Sequence, residues 1–227
     1  MNGVFVTATG TSAGKTFVTR GLARALHQRA LRVVALKPIE TGCMPSAQDA
    51  LALARASNAT TPAEHPDFFR AELPLAPYAV SREIGQPGPD ITAIAAAVHA
   101  VEPKRDWVLV EGAGGLLVPL DRDTSIADLA RRLAYPVLLV APDSLGVLSH
   151  VLTAFESAQA RALRMLAVVL TRTSSEEPDL SSQTNASILR ERTSLPVLHF
   201  PHVPDDDDKL AAAAVSCGLL DLVMRSG

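Results

Sequence analysis

Cysteine is scarce in this sequence: Cys43 and Cys217 are the two it has. They are too few and too far apart for a disulfide scaffold or a zinc site, which suits a reducing cytoplasm. An excess of positive charge is also missing, since the formal net charge is -3 over 227 residues. A strongly basic face for nucleic acid is therefore not expected. No apolar run is long enough to span a bilayer, so no membrane partner is expected. Nor does any segment near Met1 combine a charged start, an apolar run and a small-residue cleavage site, which argues against secretion. Internal repeats are absent. What remains is a chain that is 48% hydrophobic, enough to enclose a full core, and residues 1–227 read as one domain of a cytoplasmic protein.

Apolar runs recur at Val4–Val6, Val33–Leu36, Trp107–Val110, Val137–Ala141, Ala167–Leu170 and Val197–Phe200, with helical patterns between most of them. Runs apolar at nearly every position suit strands covered on both faces, so the expected class is α/β, a mostly parallel sheet between helices. In such sheets ligands bind beyond the carboxyl ends of the strands. The segment Asn58–Pro89 is rich in proline without a sustained period and reads as a long excursion, a candidate substrate-side lid. The acidic run Asp205-Asp206-Asp207-Asp208 reads as a solvated loop before the last helical stretch.

The first strand runs into Thr9-Gly10-Thr11-Ser12-Ala13-Gly14-Lys15-Thr16, followed by Phe17, Val18, Leu22, Ala25 and Leu26 at helical spacing. Strand, small-residue loop and helix in that order make a phosphate-binding P-loop: backbone N–H groups turn in around an anion and the helix N-terminus adds its dipole. Lys15 would reach the terminal phosphates of a nucleoside triphosphate and the Thr16 hydroxyl would hold Mg2+. The first glycine falls one residue later than the usual spacing, at Gly10.

Three further stretches follow strands and fall on the same sheet edge. In Lys37-Pro38-Ile39-Glu40-Thr41-Gly42 the proline biases Lys37 towards an extended backbone, from which its ammonium can project over the P-loop. Asp49 opens the helical run Ala50–Ala56, where an N-cap is the ordinary reading. Glu111 ends the run Trp107–Val110 and leads into Gly112-Ala113-Gly114-Gly115; P-loop enzymes commonly place a Mg2+ ligand or its water-holding partner there. Gly146-Val147-Leu148-Ser149-His150 starts a helix whose N–H groups suit an anion, with His150 an ordinary helix histidine. His199 and His202 lack neighbours for a metal site.

Taken together, the modified P-loop, Lys37–Gly42, Asp49-Ala50-Leu51, Val110–Gly115 and Leu145–His150 resemble the dethiobiotin synthetase family of biotin synthesis, from Val4 to about Pro204. The resemblance implies a P-loop NTPase fold with about seven parallel strands. It also implies a homodimer with its active site at the subunit interface, joining 7,8-diaminopelargonate, CO2 and ATP into the ureido ring of dethiobiotin. By the same resemblance Lys15 and Lys37 stabilise a carbamate and the transferring phosphoryl group, Thr16, Asp49 and Glu111 organise Mg2+, and Thr11 and Thr41 hold the diamine. Ser12, Ala13, Gly14, Phe17, Gly112, Ala113 and Gly114 fall to the nucleotide, as do Thr171, Arg172, Pro201, His202 and Val203. Gly146, Val147, Leu148 and Ser149 would reach the substrate carboxylate from the partner subunit. Ser12 stands where the family often has an acid, Ser149 where it has asparagine, and Thr171 where an asparagine commonly reads the adenine. A related P-loop ligase would share the phosphate machinery. A partition-type regulatory ATPase would carry an additional lysine early in the loop, whereas Thr9–Ala13 has none.

Overall fold

The computed structural model describes residues 2–57, 65–101, 104–172 and 179–227. In chain order the elements are β1 (Asn2–Ala8), α1 (Lys15–Gln28), β2 (Val33–Leu36), β3 (Ile39–Thr41), α2 (Gln48–Ala56), β4 (Phe69–Ala71), α3 (Pro77–Ile84) and α4 (Ile91–Val101). They continue with β5 (Trp107–Glu111), α5 (Ile126–Leu133), β6 (Val137–Pro142), α6 (Val147–Ala160), β7 (Met165–Thr171), α7 (Ser182–Thr193), β8 (Val197–Phe200), α8 (Asp207–Ser216) and α9 (Leu219–Arg225). Six strands form one sheet in the order β2-β5-β1-β6-β7-β8, and every pairing in it is parallel.

Alternation along β1 explains why its apolar run is unbroken. Val4, Val6 and Ala8 face one layer, where they meet Val18, Leu22 and Leu26 of α1, Leu53 of α2 and Leu210 of α8. Phe5 faces the other, against Ile94 and Val98 of α4 and Leu129 of α5. Each face of the strand is buried, as a parallel sheet requires. Burial of these side chains supplies the main stabilisation, at about 25 cal/mol per Å² of apolar surface. No helix among the described residues is long and apolar enough to cross a membrane.

Among the described residues the main sheet has six strands, near the seven or so expected, and β3 turns away from it to pair with β4 in a separate two-stranded ladder. The cause is Pro38, which has no N–H to continue the β2 ladder; its carbonyl instead accepts from the Phe69 N–H at 2.8 Å. The proline-rich excursion accordingly holds β4 and α3, with Val80 fully buried, while its residues 58–64, including Pro62, lie outside the described residues. The acidic run is not simply a solvated loop. Asp206 caps α8 by accepting from the Lys209 N–H at 2.9 Å, Asp205 and Asp207 accept from Arg20, and Asp208 accepts from Arg24 and Gln28. Arg20, Arg24 and Gln28 recur every fourth residue, so they form one stripe along α1 and meet the run in sequence.

Candidate active site

Strand register assembles the site. Leu36 pairs with Val110 and Val6 with Glu111, so Lys37, Glu111 and the loop after β1 emerge side by side at the carboxyl edge of the sheet. That edge is where open α/β sheets bind ligands.

Within the P-loop, Gly14 takes φ +86° as the N-cap of α1, a conformation that costs glycine little. A Cβ there would also lie 3.2 Å from Thr171 Cγ2. Thr171 is itself buried, and its hydroxyl donates to the Ala13 carbonyl at 2.8 Å, with the Ala141 carbonyl at 3.2 Å. The residue expected at the adenine thus braces the loop from beneath. Lys15 is buried and donates to the Gly10 carbonyl at 3.1 Å. Loss of water lowers its pKa to about 8; the nearby Lys37 pushes the same way, and Glu111 and Asp49 oppose the shift without reversing it.

Lys37 donates to Glu111 Oε1 at 2.8 Å and to Asp49. Burial alone would lower its pKa, but the two carboxylates outweigh that and hold it above the usual lysine range. Glu111 is completely buried. Its Oε1 also accepts from the Thr16 hydroxyl at 2.9 Å, whereas its Oε2 is buried with no hydrogen-bond partner. A buried carboxylate oxygen without a partner is costly, and a cation would satisfy it. The donors Thr16, Asp49 and Glu111 all present oxygen, which suits Mg2+, an ion normally held by one or two carboxylates together with phosphate oxygens and water. Among the described residues no group of three or more His, Cys, Asp or Glu could form a metal cage.

Asp49 is available for this because it is not the cap of α2. The N-cap is Ala47, which offers no side chain; Glu40 of β3 serves instead, accepting from the Asp49 and Ala50 N–H groups at 3.0 Å each. Burial, the larger influence, raises the Glu40 pKa against these two bonds. Glu40 was not assigned a role from sequence, although a helix starting at alanine signals that a cap must come from elsewhere.

A cavity of about 440 Å³ opens above this cluster, within the range of small-molecule sites. On the phosphate side it is lined by Thr11, Ser12, Ala13, Gly14, Lys15 and Thr16, and across from them by Lys37, Thr41, Asp49, Ala113 and Gly114. Its far end holds Phe17, Thr171, Arg172, Pro201, His202 and Val203. Phe200, Leu210 and Glu40 complete the wall; none of them was picked out from sequence. Glu111 lies beneath the floor, and Gly112 is enclosed by Phe5 and Ile126. Gly146, Val147, Leu148 and Ser149 do not line this cavity. Gly146 caps α6, Val147 is buried in an apolar cluster with Val151 and Leu139, and Ser149 is exposed. The same helix contributes His150, Thr153 and Ala154 to a separate groove against Thr9–Thr11 and Gly115–Pro119.

Residues 2–210 match the family model described as an AAA domain. The ATP-dependent dethiobiotin synthetase BioD of Anaeromyxobacter sp. (strain K) is 36% identical over 206 residues, which cover 90% of this chain and 92% of that protein. That of Aquifex aeolicus (strain VF5) is 33% identical over 223 residues, 97% of each, and that of Parafrankia sp. (strain EAN1pec) 39% identical over 186 residues, 82% of this chain and 77% of the relative. Among solved structures, the cell division ATPase MinD of Pyrococcus furiosus superposes with a TM-score of 0.59 at 17% identity over 100% of both chains. The MinC:MinD complex of Aquifex aeolicus gives 0.62 at 12% identity over 99% and 95%. At those identities the structural likeness speaks for the P-loop fold alone. The sequence likeness goes further: at these identities and coverages the chain belongs to the ATP-dependent dethiobiotin synthetase family.

Proposed function

We propose that residues 1–227 work in the cytoplasm as one P-loop synthetase domain, joining 7,8-diaminopelargonate, CO2 and ATP to form dethiobiotin, ADP and phosphate. The observation that carries this reading is the Lys37 ammonium, held between Glu111 and Asp49 beside the P-loop and opening into the same cavity. One substrate amine takes up CO2 and releases a proton, leaving a carbamate. A carbamate oxygen attacks the γ-phosphorus and ADP departs. The second amine then attacks the carbamate carbon, loses a proton and expels phosphate as the ring closes.

In this scheme no side chain becomes covalently bound, and the protein's contribution is position and charge. The P-loop N–H groups and Lys15 cradle the β- and γ-phosphates. Lys37, held protonated by its two carboxylates, is a fixed positive charge for the carbamate and the phosphoryl oxygens and not a proton donor. Thr11 and Thr41 fit the diamine end, and Phe17, Thr171, Arg172 and Pro201–Val203 the nucleoside end. Thr16, Asp49 and Glu111 would hold Mg2+, which supplies further neutralisation of phosphate charge.

Because Gly146–Ser149 lie outside the cavity of their own chain, the reading includes a homodimer in which each α6 N-terminus serves the partner's substrate carboxylate. The test is phosphate release from ATP and Mg2+ with and without the diamine and bicarbonate, with the organic product identified by mass. Release that requires both additions and yields dethiobiotin is the expected result; hydrolysis indifferent to the diamine would refute it. A strictly monomeric variant should be nearly inactive, and a fully active one would remove the interface from the mechanism.

A further inference from the structure

The acidic run at residues 205–208 has no place in the mechanism above, yet it is tied to the cavity. Arg20, whose side chain is only 10% exposed, is shared between Asp205 and Asp207. Its guanidinium also lies 5.8 Å from the centre of the Phe17 ring, one turn earlier on α1, and Phe17 lines the cavity. On the other side of the ion pairs the chain runs back through the loop that follows β8, whose Pro201, His202 and Val203 also line the cavity. A single buried cation is therefore joined to a cavity-lining ring on one side and, on the other, to the acids that follow the cavity-lining loop.

The spacing between those sides is also set next to Arg20. At Gly21 a Cβ would come within 2.6 Å of the Leu210 carbonyl and 3.2 Å of the Phe200 ring, so α1 and α8 meet there at backbone distance. Phe200 and Leu210 themselves line the cavity. Beside that close contact, the Arg20 ion pairs tie the end of the loop after β8 to the turn of α1 that carries Phe17.

We infer that Arg20 is a positioning residue for the nucleoside end of the site, clasping the loop after β8 against α1 so that Phe17 and Pro201–Val203 are held at the separation that fits a nucleotide base. This rests on the reading of the cavity as the ATP site. The chemistry predicts a loss confined to nucleotide binding, because Arg20 touches neither Lys37 nor Glu111 nor the diamine end.

The experiment measures nucleotide affinity by titration calorimetry, and KM for ATP and for the diamine, in Arg20→Met, Arg20→Lys, Asp205→Asn, Arg24→Met and Lys15→Ala. Arg20→Met should raise the nucleotide Kd and the KM for ATP about tenfold, the scale of a small misplacement of a binding wall, leaving KM for the diamine unchanged. Arg20→Lys should recover part of the loss, and Arg24→Met, which breaks only an exposed pair on the same run, should bind nucleotide as the parent does. Should Arg20→Met fail to fold, Asp205→Asn carries the test, since Asp205 is 66% exposed and its loss should still weaken nucleotide binding severalfold. Unchanged affinity in Arg20→Met, or in a folded Asp205→Asn, would overturn the inference, as would equal losses for ATP and the diamine. Lys15→Ala separates the two claims: if it binds nucleotide like the parent, the ATP reading of the cavity fails; if it loses binding and Arg20→Met does not, the positioning role alone fails.

Discussion

Two buried cations, one lining the cavity and one behind it, are each shared between two carboxylates. Lys37 lies between Glu111 and Asp49, and Arg20 between Asp205 and Asp207. Both are buried, both are paired, and by charge alone they are equivalent. They differ in what is left over. The partners of Arg20 reach solvent, Asp205 being 66% exposed. Beside Lys37, Glu111 is fully buried and keeps one oxygen without a partner. Burial and charge are common to both clusters; a buried carboxylate oxygen left without a partner belongs to the Lys37 cluster alone of the two.

The comparison breaks most sharply at Lys37. Lys37→Ala should cut turnover by about 10³-fold while the chain still folds, as loss of preorganised charge at a phosphoryl site predicts. It leaves Glu111 buried without its cation, a loss on the order of 3 kcal/mol, so Mg2+ should raise the melting temperature of the variant more than that of the parent. Full turnover in Lys37→Ala would make the two cations alike after all.

A second effect concerns Lys15. Its pKa is lowered to about 8 in the free protein, and phosphate favours the charged form. Nucleotide binding above that pH must therefore take up a proton, and affinity should fall by up to about tenfold per pH unit as pH rises past 8. Below that pH Lys15 is already charged and makes no contribution to the slope. Calorimetry in buffers of different ionisation enthalpy measures the proton uptake directly, and none at pH 9 would count against the shift.

Smaller still is Gly14→Ala. A side chain at φ +86° against Thr171 should cost about 1–2 kcal/mol of stability, read by chemical denaturation. At the bottom of the scale stands Arg24→Ala, which removes the exposed pair with Asp208. It should change stability by less than about 0.5 kcal/mol; a larger loss would show that the outer clasp works as a unit.

Much of the site was legible because its signals are local. The strand, loop and helix at Val4–Leu26 have the right spacing to be read directly, and Lys37 and Glu111 each follow an apolar run that a parallel sheet ends at one edge. Position alone read Asp49 as a cap, and only the family resemblance gave it to Mg2+; in the structure Glu40 supplies the cap and leaves Asp49 facing Lys37. Arg20 could not be read at all, because its partners stand 185 and 187 residues further along the chain. In sequence it is one more arginine on an amphipathic helix, and the acids that meet it are one more charge run. Pro38 marked a departure from the helix, but not that the next strand would pair outside the main sheet.

Pairing the first helix with the acidic run also has a consequence in time. At about 5–20 residues per second, a ribosome that has finished Arg20 needs roughly ten to forty seconds to reach Asp207, which lies 187 residues later. For that interval the wall that would hold a base against the phosphate loop has not yet been synthesised. A nascent chain of this protein should therefore show no affinity for nucleosides until synthesis has passed the acidic run. The earliest helix made is among the last to be completed.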